Sequence, residues 1–169
     1  MQNAPLILTA ELPRDLHGWA TRLRAEHFPP ERNYLEAHVT LFHALAPQME
    51  AELLRYLSRI CGETAPVLAR MEGVMSLGRG TALKLSSSKL LFLRQQVAEH
   101  CHGMLTAQDQ ASPRLHVTIQ NKVEPVLAKA LQQSLGSTIR PRNFFFRGLT
   151  LHRYLGGPWE LVKRFPFRG

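Results

Sequence analysis

The stretches "HVTLFH" (residues 38–43) and "HVTIQN" (residues 116–121) begin with the same three letters and continue with an aliphatic residue. Each lies in an apolar, β-branched run and precedes a segment with helical spacing. Side chains alternate between the two faces of a strand, so the histidine and threonine of each copy share one face. We expect the opposite, apolar face to meet helices and the histidine–threonine face to line a cleft. The pattern predicts an internal repeat that brings His38 and His116 together.

The periodicity of apolar residues extends this repeat to the rest of the chain. It predicts strands over residues 6–12, 37–45, 66–78, 81–86, 115–123, 143–156 and 159–167. It predicts helices over residues 15–28, 49–63, 89–105 and 124–136, the first capped by Asp15. No Pro/Gly/Ser-rich linker divides the chain. We therefore expect one domain over residues 1–169, with an HVTL lobe near 1–87 and an HVTI lobe near 88–169, and the exchange of strands between the lobes left open.

The composition restricts the class of protein. A net charge of +8 and a sequence pI near 10.2 favour an anionic partner or substrate, although a solvated basic surface is the alternative. Cys61 and Cys101 lack metal-binding or redox spacing. The N-terminal "MQNAPLILTAEL" has no cationic start, and no apolar run reaches the roughly 18 residues of a membrane span. We expect a cytoplasmic protein with reduced thiols, no membrane association and no obligate protein partner.

Two facing histidines and two hydroxyls suit one chemistry in particular. In-line attack at phosphorus needs a base for the incoming oxygen and an acid for the leaving oxygen, on opposite sides of the phosphate. Histidine, with an ordinary pKa of about 6.5, serves either role near neutral pH. Threonine hydroxyls can donate to the non-bridging oxygens, whose charge needs stabilising in the transition state. The catalytic candidates are His38, His116, Thr40 and Thr118, and this chemistry requires neither a metal nor a cofactor.

The two motifs resemble the paired H-x-T-x motifs of the 2H phosphoesterase superfamily, above all its 2′-5′ RNA ligase and RNA 2′,3′-cyclic phosphodiesterase group. The resemblance covers nearly the whole chain, including motif spacing, lobe order and the proline-containing loop before each motif. It implies a bilobal α+β fold of two pseudo-symmetric lobes, each with an antiparallel sheet and helices on its outer face. It also implies that His38 donates a proton, that His116 accepts one from water, and that Thr40 and Thr118 hold the phosphate.

Five further residues are candidates for substrate binding. Many members of that group carry an arginine after the second motif, where this chain has Asn121 and Lys122. By alternation Gln120 and Lys122 share the face of His116. Phe42 shares the face of His38 and could stack on a base, with packing between the lobes as the alternative. His152 and Tyr154 are predicted to line the far wall of the cleft.

Other residues suggest a site at first reading, but a structural role is favoured for each. His43 alternates with the cleft face, which predicts a core or edge position. The "HCH" at residues 100–102 is not expected to hold a metal, since neighbours on a helix do not share a face. "RPRNFFFRG" (residues 140–148) mixes basic and aromatic residues that could touch RNA, but a core strand with a charged entry is preferred.

The leading hypothesis is a metal-independent phosphoesterase that opens a 2′,3′-cyclic phosphate, or makes and breaks 2′-5′ linkages, in RNA or a nucleotide. Hydrolysis and ligation share one transition state, so the sequence does not separate them. One alternative is a non-catalytic RNA-binding module of the same fold. Another is a phosphodiesterase of small cyclic nucleotides, for example of a cyclic phosphate of ADP-ribose.

Overall fold

Residues 3–169 are described by the structure, which is a computed structural model. Their strands are β1 (Leu6–Glu11), β2 (Val39–Leu45), β3 (Val67–Ser76), β4 (Thr81–Ser86), β5 (His116–Gln120), β6 (Arg142–Phe146), β7 (Gly148–Tyr154) and β8 (Trp159–Pro166). Their α-helices are α1 (Arg14–His27), α2 (Glu50–Gly62), α3 (Ser88–His100), α4 (Ala107–Gln110) and α5 (Pro125–Gly136). The predicted α+β class is confirmed.

The strands form two antiparallel sheets of four. The first sheet has the order β2-β1-β7-β8 and the second has the order β5-β4-β3-β6. Each sheet therefore takes two strands from each half of the chain. The predicted boundary near residue 87 does not separate the two sheets, because the chain leaves the first sheet after β2 and returns to it only at β7.

The return to the first sheet divides a segment predicted as one strand. Residues 143–156 read as continuous, but the chain changes sheets between β6 and β7 at Arg147, whose amide donates to the carbonyl of Glu11 at 2.8 Å. A Cβ on Gly148 would lie 2.5 Å from the carbonyl oxygen of Phe165 on β8. Only glycine permits this close approach of two backbones.

Several helix ends also differ from the sequence prediction. Helix α1 is preceded by Pro13 as its N-cap, and Asp15 lies in the first turn without capping it. Helix α3 ends at His100, five residues earlier than predicted, and the chain then turns at Gly103 with a φ of +82°. The short helix α4 lies in a segment predicted as loop.

The two motif strands occupy matching places. Strand β2 is an edge of the first sheet and β5 is an edge of the second, and these two edges contact each other. The apolar motif residues Val39, Leu41, Val117 and Ile119 are all buried in one continuous core. The motif histidines and threonines remain partly exposed on the opposite faces. The alternation predicted from the sequence is thus confirmed for the four residues of each motif.

The composition predicts reduced cysteines and no membrane-spanning segment. Cys61 and Cys101 are buried free thiols, and burial raises their pKa values to about 12 and about 11. Across residues 3–169, none of the helices combines the length and the apolar character that crossing a lipid bilayer would require.

Candidate active site

The two motif histidines have the same backbone anchor. Nδ1 of His38 donates to the carbonyl of Glu36 at 2.8 Å, and Nδ1 of His116 donates to the carbonyl of Arg114 at 2.7 Å. A carbonyl can only accept, so each neutral ring carries its proton on Nδ1 and has a free lone pair on Nε2. Each Nε2 can therefore take up a proton, or hold one for donation once the ring is charged.

The motif threonines lie two residues further along, on the same faces. Thr40 pairs with Thr9 on β1, Thr9 pairs with Thr150 on β7, and Thr150 pairs with Arg164 on β8. Directly opposed residues of antiparallel strands share a face. A row of three hydroxyls that ends in a guanidinium therefore crosses the first sheet from the motif outwards.

Beside His38, a cavity of about 900 Å³ lies over this face of the first sheet. His38, His152 and Trp159 are among the residues that line it, whereas Thr40, His116 and Thr118 are not. The indole of Trp159 lies 4.7 Å from the ring of His38 and 5.2 Å from that of His152, measured between centroids. Nε2 of His152 hydrogen-bonds Oγ1 of Thr9 at 3.2 Å. The cavity of the site therefore lies on the side of His38.

Electrostatics distinguishes His38 and His152 in this cavity from ordinary histidines. Burial lowers the pKa of His38 to about 4; its bond to Glu36 opposes this, and the charges of Arg24, His152 and His116 add to it. Burial, followed by the charge of Arg164, lowers the pKa of His152 to about 4. Both rings are neutral at pH 7. His116 is among the charges that act on His38, which is consistent with the contact between the two motif strands.

A buried arginine joins the two motifs. Arg24 on α1 is 3% exposed and donates to the carbonyls of Leu35, at 3.2 Å, and Thr118, at 2.9 Å. It also donates to Oδ1 of Asn33 at 3.1 Å and lies 4.2 Å from the centre of the Phe28 ring. One side chain thereby binds the loop before the first motif and the strand of the second. None of these partners is a carboxylate, so the cation has no counter-ion among them.

A second buried arginine makes the reciprocal connection. Arg94 on α3, which precedes the second motif, donates to the carbonyl of Leu41 in the first motif at 3.2 Å and to the carbonyl of Asp109. The Asp109 carboxylate accepts from the backbone amides of His43, at 2.8 Å, and Ala44, at 2.9 Å. Burial would raise the pKa of Asp109, but the hydrogen bonds from His43 and Ala44 outweigh it and hold this pKa below its ordinary value. The exposed polar edge of β2 is thus bonded to groups from the other half of the chain.

A β-bulge at the fourth residue of each motif overturns two predicted substrate contacts. The pairing of β2 with β1 shifts by one residue between Thr40 and Phe42, and that of β5 with β4 shifts between Thr118 and Gln120. A bulge reverses the faces of the residues that follow it. Phe42 is consequently fully buried beneath Arg94, whose guanidinium lies 4.0 Å from the ring centre, and the predicted stacking on a base is wrong.

The same shift places Gln120 in the interior, where its Oε1 accepts from Oγ1 of Thr81 at 3.0 Å. The prediction that Gln120 shares the cleft face with His116 is therefore wrong. Strand β5 ends there, and Lys122 lies in the following turn with a φ of +58°, so strand alternation does not extend to it. His43 is exposed beside Asp109 on the edge strand β2, which agrees with the predicted edge position and excludes the core one.

Of the two residues predicted for the far wall, the structure places His152 in the cavity lining. Tyr154 follows it on β7, is 41% exposed and does not line the cavity. His100 stacks on Tyr56 at 3.9 Å between centroids and lies 3.3 Å from Glu52, while His102 is exposed.

Sequence reasoning missed four groups at this site: Thr9, Trp159, Arg24 and Lys84. Thr9 was visible as the one polar residue inside the apolar run "LILTAEL", and Trp159 as a tryptophan directly after a Gly-Gly-Pro turn. Lys84 lies directly opposite His116 on β4, and so on the same face. The sequence contains no sign of this pairing, or of the burial of Arg24, because both depend on strand order.

Comparison with known proteins agrees with this architecture. The model of the 2′-5′ RNA ligase superfamily matches residues 12–158. Among solved structures, TT0787 of Thermus thermophilus is similar at 17% identity and a TM-score of 0.67, with 98% of each chain covered. E. coli LigT complexed with NADP+ is similar at 18% identity and a TM-score of 0.64, with 99% of each chain covered. LigT complexed with 3′-AMP is similar at 17% identity and a TM-score of 0.62, again with 99% of each chain covered. No curated protein matches the chain in sequence.

Proposed function

The chain belongs to the 2′-5′ RNA ligase superfamily, and we propose that it opens a 2′,3′-cyclic phosphate on an RNA end or a nucleotide by proton transfer through His38 and His116. The observation that carries this proposal is the matched setting of the two rings, each anchored through Nδ1 to the carbonyl two residues before it. LigT, a structural neighbour, has been crystallised with 3′-AMP and with NADP+, which supports a nucleotide ligand.

In this mechanism the phosphate lies between the two motifs, held by the hydroxyls of Thr40 and Thr118. His116 Nε2 accepts a proton from water as the water oxygen bonds to phosphorus. The bond from phosphorus to one ribose oxygen breaks, and His38 Nε2 gives that oxygen a proton. The two imidazoles then exchange protons with solvent and return to their starting states. Neither transfer requires a metal ion.

The position of the cavity supports His38 as the donor. In a cyclic phosphate the leaving oxygen belongs to the ribose, so the nucleoside lies on the side of the leaving group. The cavity of about 900 Å³ opens beside His38 and has His116 outside its lining. A nucleoside in this cavity directs its leaving oxygen to His38 and leaves the other side of the phosphorus to water.

The low pKa of His38 couples proton donation to substrate binding. With a pKa of about 4, this ring is neutral in the free protein at pH 7 and has no proton to donate from Nε2. A phosphate anion beside the ring favours its charged form and raises the pKa. His38 thereby becomes an acid only when substrate is bound.

Turnover of a nucleoside 2′,3′-cyclic phosphate in excess EDTA tests the proposal. We expect hydrolysis at a rate that the chelator does not change, and a loss of roughly 10²–10⁴-fold in kcat for His116→Ala. His102→Ala is the matched control, since it removes an exposed histidine that belongs to neither motif and does not line the cavity. Binding of RNA without any turnover would instead identify an RNA-binding module. Loss of turnover in EDTA, restored by a divalent ion, would indicate a metal-dependent reaction.

A further inference from the structure

The cavity beside His38 has more room than a single phosphate ester fills. Its volume of about 900 Å³ is near the upper end of small-molecule sites, which span about 300–1,000 Å³. The two ends of the cavity also differ in chemistry. Trp159 and Tyr34 belong to the end near the β7–β8 turn, where the Tyr34 ring packs against Gly157. A base can stack there, close to the ring of His38.

The opposite end carries three arginines: Arg14, Arg147 and Arg164. Arg14 follows β1 by three residues, and the amide of Arg147 is bonded to Glu11, the last residue of β1. Arg164 pairs with Thr150 at the same end of the first sheet. We call this group the arginine end. It is built from three separate segments of the chain that meet at one edge of the cavity.

These arginines are free to bind an anion. Within residues 3–169, none of the three lies within ion-pairing distance of a carboxylate, whereas Arg142 on β6 and Arg153 on β7 are both paired with acidic residues. Two carboxylates, those of Glu11 and Glu36, also line the cavity. Glu36 lies 3.2 Å from His17, and neither of the two carboxylates is within ion-pairing distance of the three arginines among residues 3–169. The hydroxyls of Thr9 and Thr150 continue the row from Thr40 towards Arg164.

The spacing of this row suits two phosphates on one ribose. Thr40 and Arg164 lie on the outer strands of a four-stranded sheet, so about 14 Å separates their backbones at about 4.8 Å per strand. The long arginine side chain can shorten this span towards the motif. A phosphate at Thr40 and a second one at the arginine end are then bridged by a single nucleoside.

We propose that the arginine end is a second phosphate subsite, which selects cyclic phosphates whose ribose also carries a phosphate on its 5′ oxygen. This inference rests on the proposed function and specifies its substrate. The second phosphate can come from the preceding linkage of an RNA or from the 5′ phosphates of a small nucleotide, and both present the same anion to the arginines.

The test compares kcat/KM for adenosine 2′,3′-cyclic phosphate, its 5′-phosphorylated form, its 5′-diphosphate form and an RNA dinucleotide ending in the cyclic phosphate. We expect the wild-type protein to prefer the substrates with a second phosphate by about 10- to 100-fold, the size of a hydrogen bond to a charged group. A preference for the dinucleotide would identify RNA as the source, and a preference for the diphosphate form would identify a small nucleotide.

The double variant Arg147→Gln/Arg164→Gln should bring this preference ratio close to one. Arg140→Gln is the control for lost arginine charge: it removes one positive charge from an exposed loop outside the cavity, and should keep the wild-type ratio. A wild-type ratio near one, or a ratio that the double variant leaves unchanged, would overturn the second subsite while leaving the proposed function intact. Absence of turnover with all four substrates would overturn the proposed function and this inference with it.

Discussion

His38 and His116 share a backbone anchor but differ in what surrounds their rings. The ring of His38 contacts Trp159 and lines the cavity, while that of His116 lies outside the lining. Two histidines with the same bond at Nδ1 therefore lie in different environments. This asymmetry is the physical basis for assigning them different proton roles.

His152 provides a test of these electrostatics that does not depend on catalysis. Its pKa is about 4 in the folded protein and about 6.5 in an unfolded chain. Between these values the unfolded chain binds the proton that the folded chain does not, so the free energy of unfolding falls as the pH is lowered from about 6.5 to about 4. His152→Gln should reduce the loss of stability between pH 7 and pH 5, measured by urea denaturation at each pH.

The matched control is His102→Gln, which removes an exposed histidine and should reproduce the wild-type difference between pH 7 and pH 5. An identical difference for His152→Gln and the wild-type protein would mean that His152 is solvated, contrary to its contacts with Thr9 and Trp159.

The motif strands show where sequence reasoning succeeds and where it stops. Alternation correctly placed His38, Thr40, His116 and Thr118, because apolar Val39 and Val117 fix the register of each motif against the core. It failed for Phe42 and Gln120, since each motif has a bulge at its fourth residue. A bulge depends on the partner strand, so it leaves no periodic signal in the strand that contains it. The two motifs therefore share the bulge as well as the sequence pattern, and the sequence pattern does not predict the bulge.

The contact between the two edge strands depends on Arg24. Without its guanidinium, the carbonyls of the half-buried Leu35 and Thr118 lose their donor. Arg24→Gln should lower the free energy of unfolding by about 1.5–3 kcal/mol for each bond lost to a charged donor. It should also lower kcat, because no side chain would then bind both the loop before the first motif and the strand of the second. Urea denaturation and steady-state turnover measure the two effects.

Arg22→Gln on the same helix is the control for Arg24→Gln, because Arg22 is exposed. We expect it to change the free energy of unfolding by less than about 0.5 kcal/mol, as is usual for surface positions. Equal and small effects of the two substitutions would contradict the connecting role of Arg24.

In the whole molecule, the path of the chain explains why the two halves form one site. Each sheet contains strands from both halves, and the motif strands meet at adjoining sheet edges. The sequence revealed the repeat but not this exchange, since strand order is set by long-range pairing. The net charge of +8 agrees with an anionic substrate, and the three arginines at the cavity, which form no ion pair with any carboxylate of residues 3–169, concentrate part of this charge there.

The central claim is that His38 gives a proton to the leaving oxygen and His116 removes one from water. The most direct test measures His38→Ala and His116→Ala on a cyclic nucleotide phosphate and on an aryl phosphodiester with a 4-nitrophenolate leaving group. Each variant should lose roughly 10²–10⁴-fold on the cyclic phosphate. The aryl ester should restore the rate of His38→Ala, because its leaving oxygen needs no proton, and should not restore that of His116→Ala. Rescue of His116→Ala alone would reverse the two roles, and wild-type rates in both variants would contradict the mechanism.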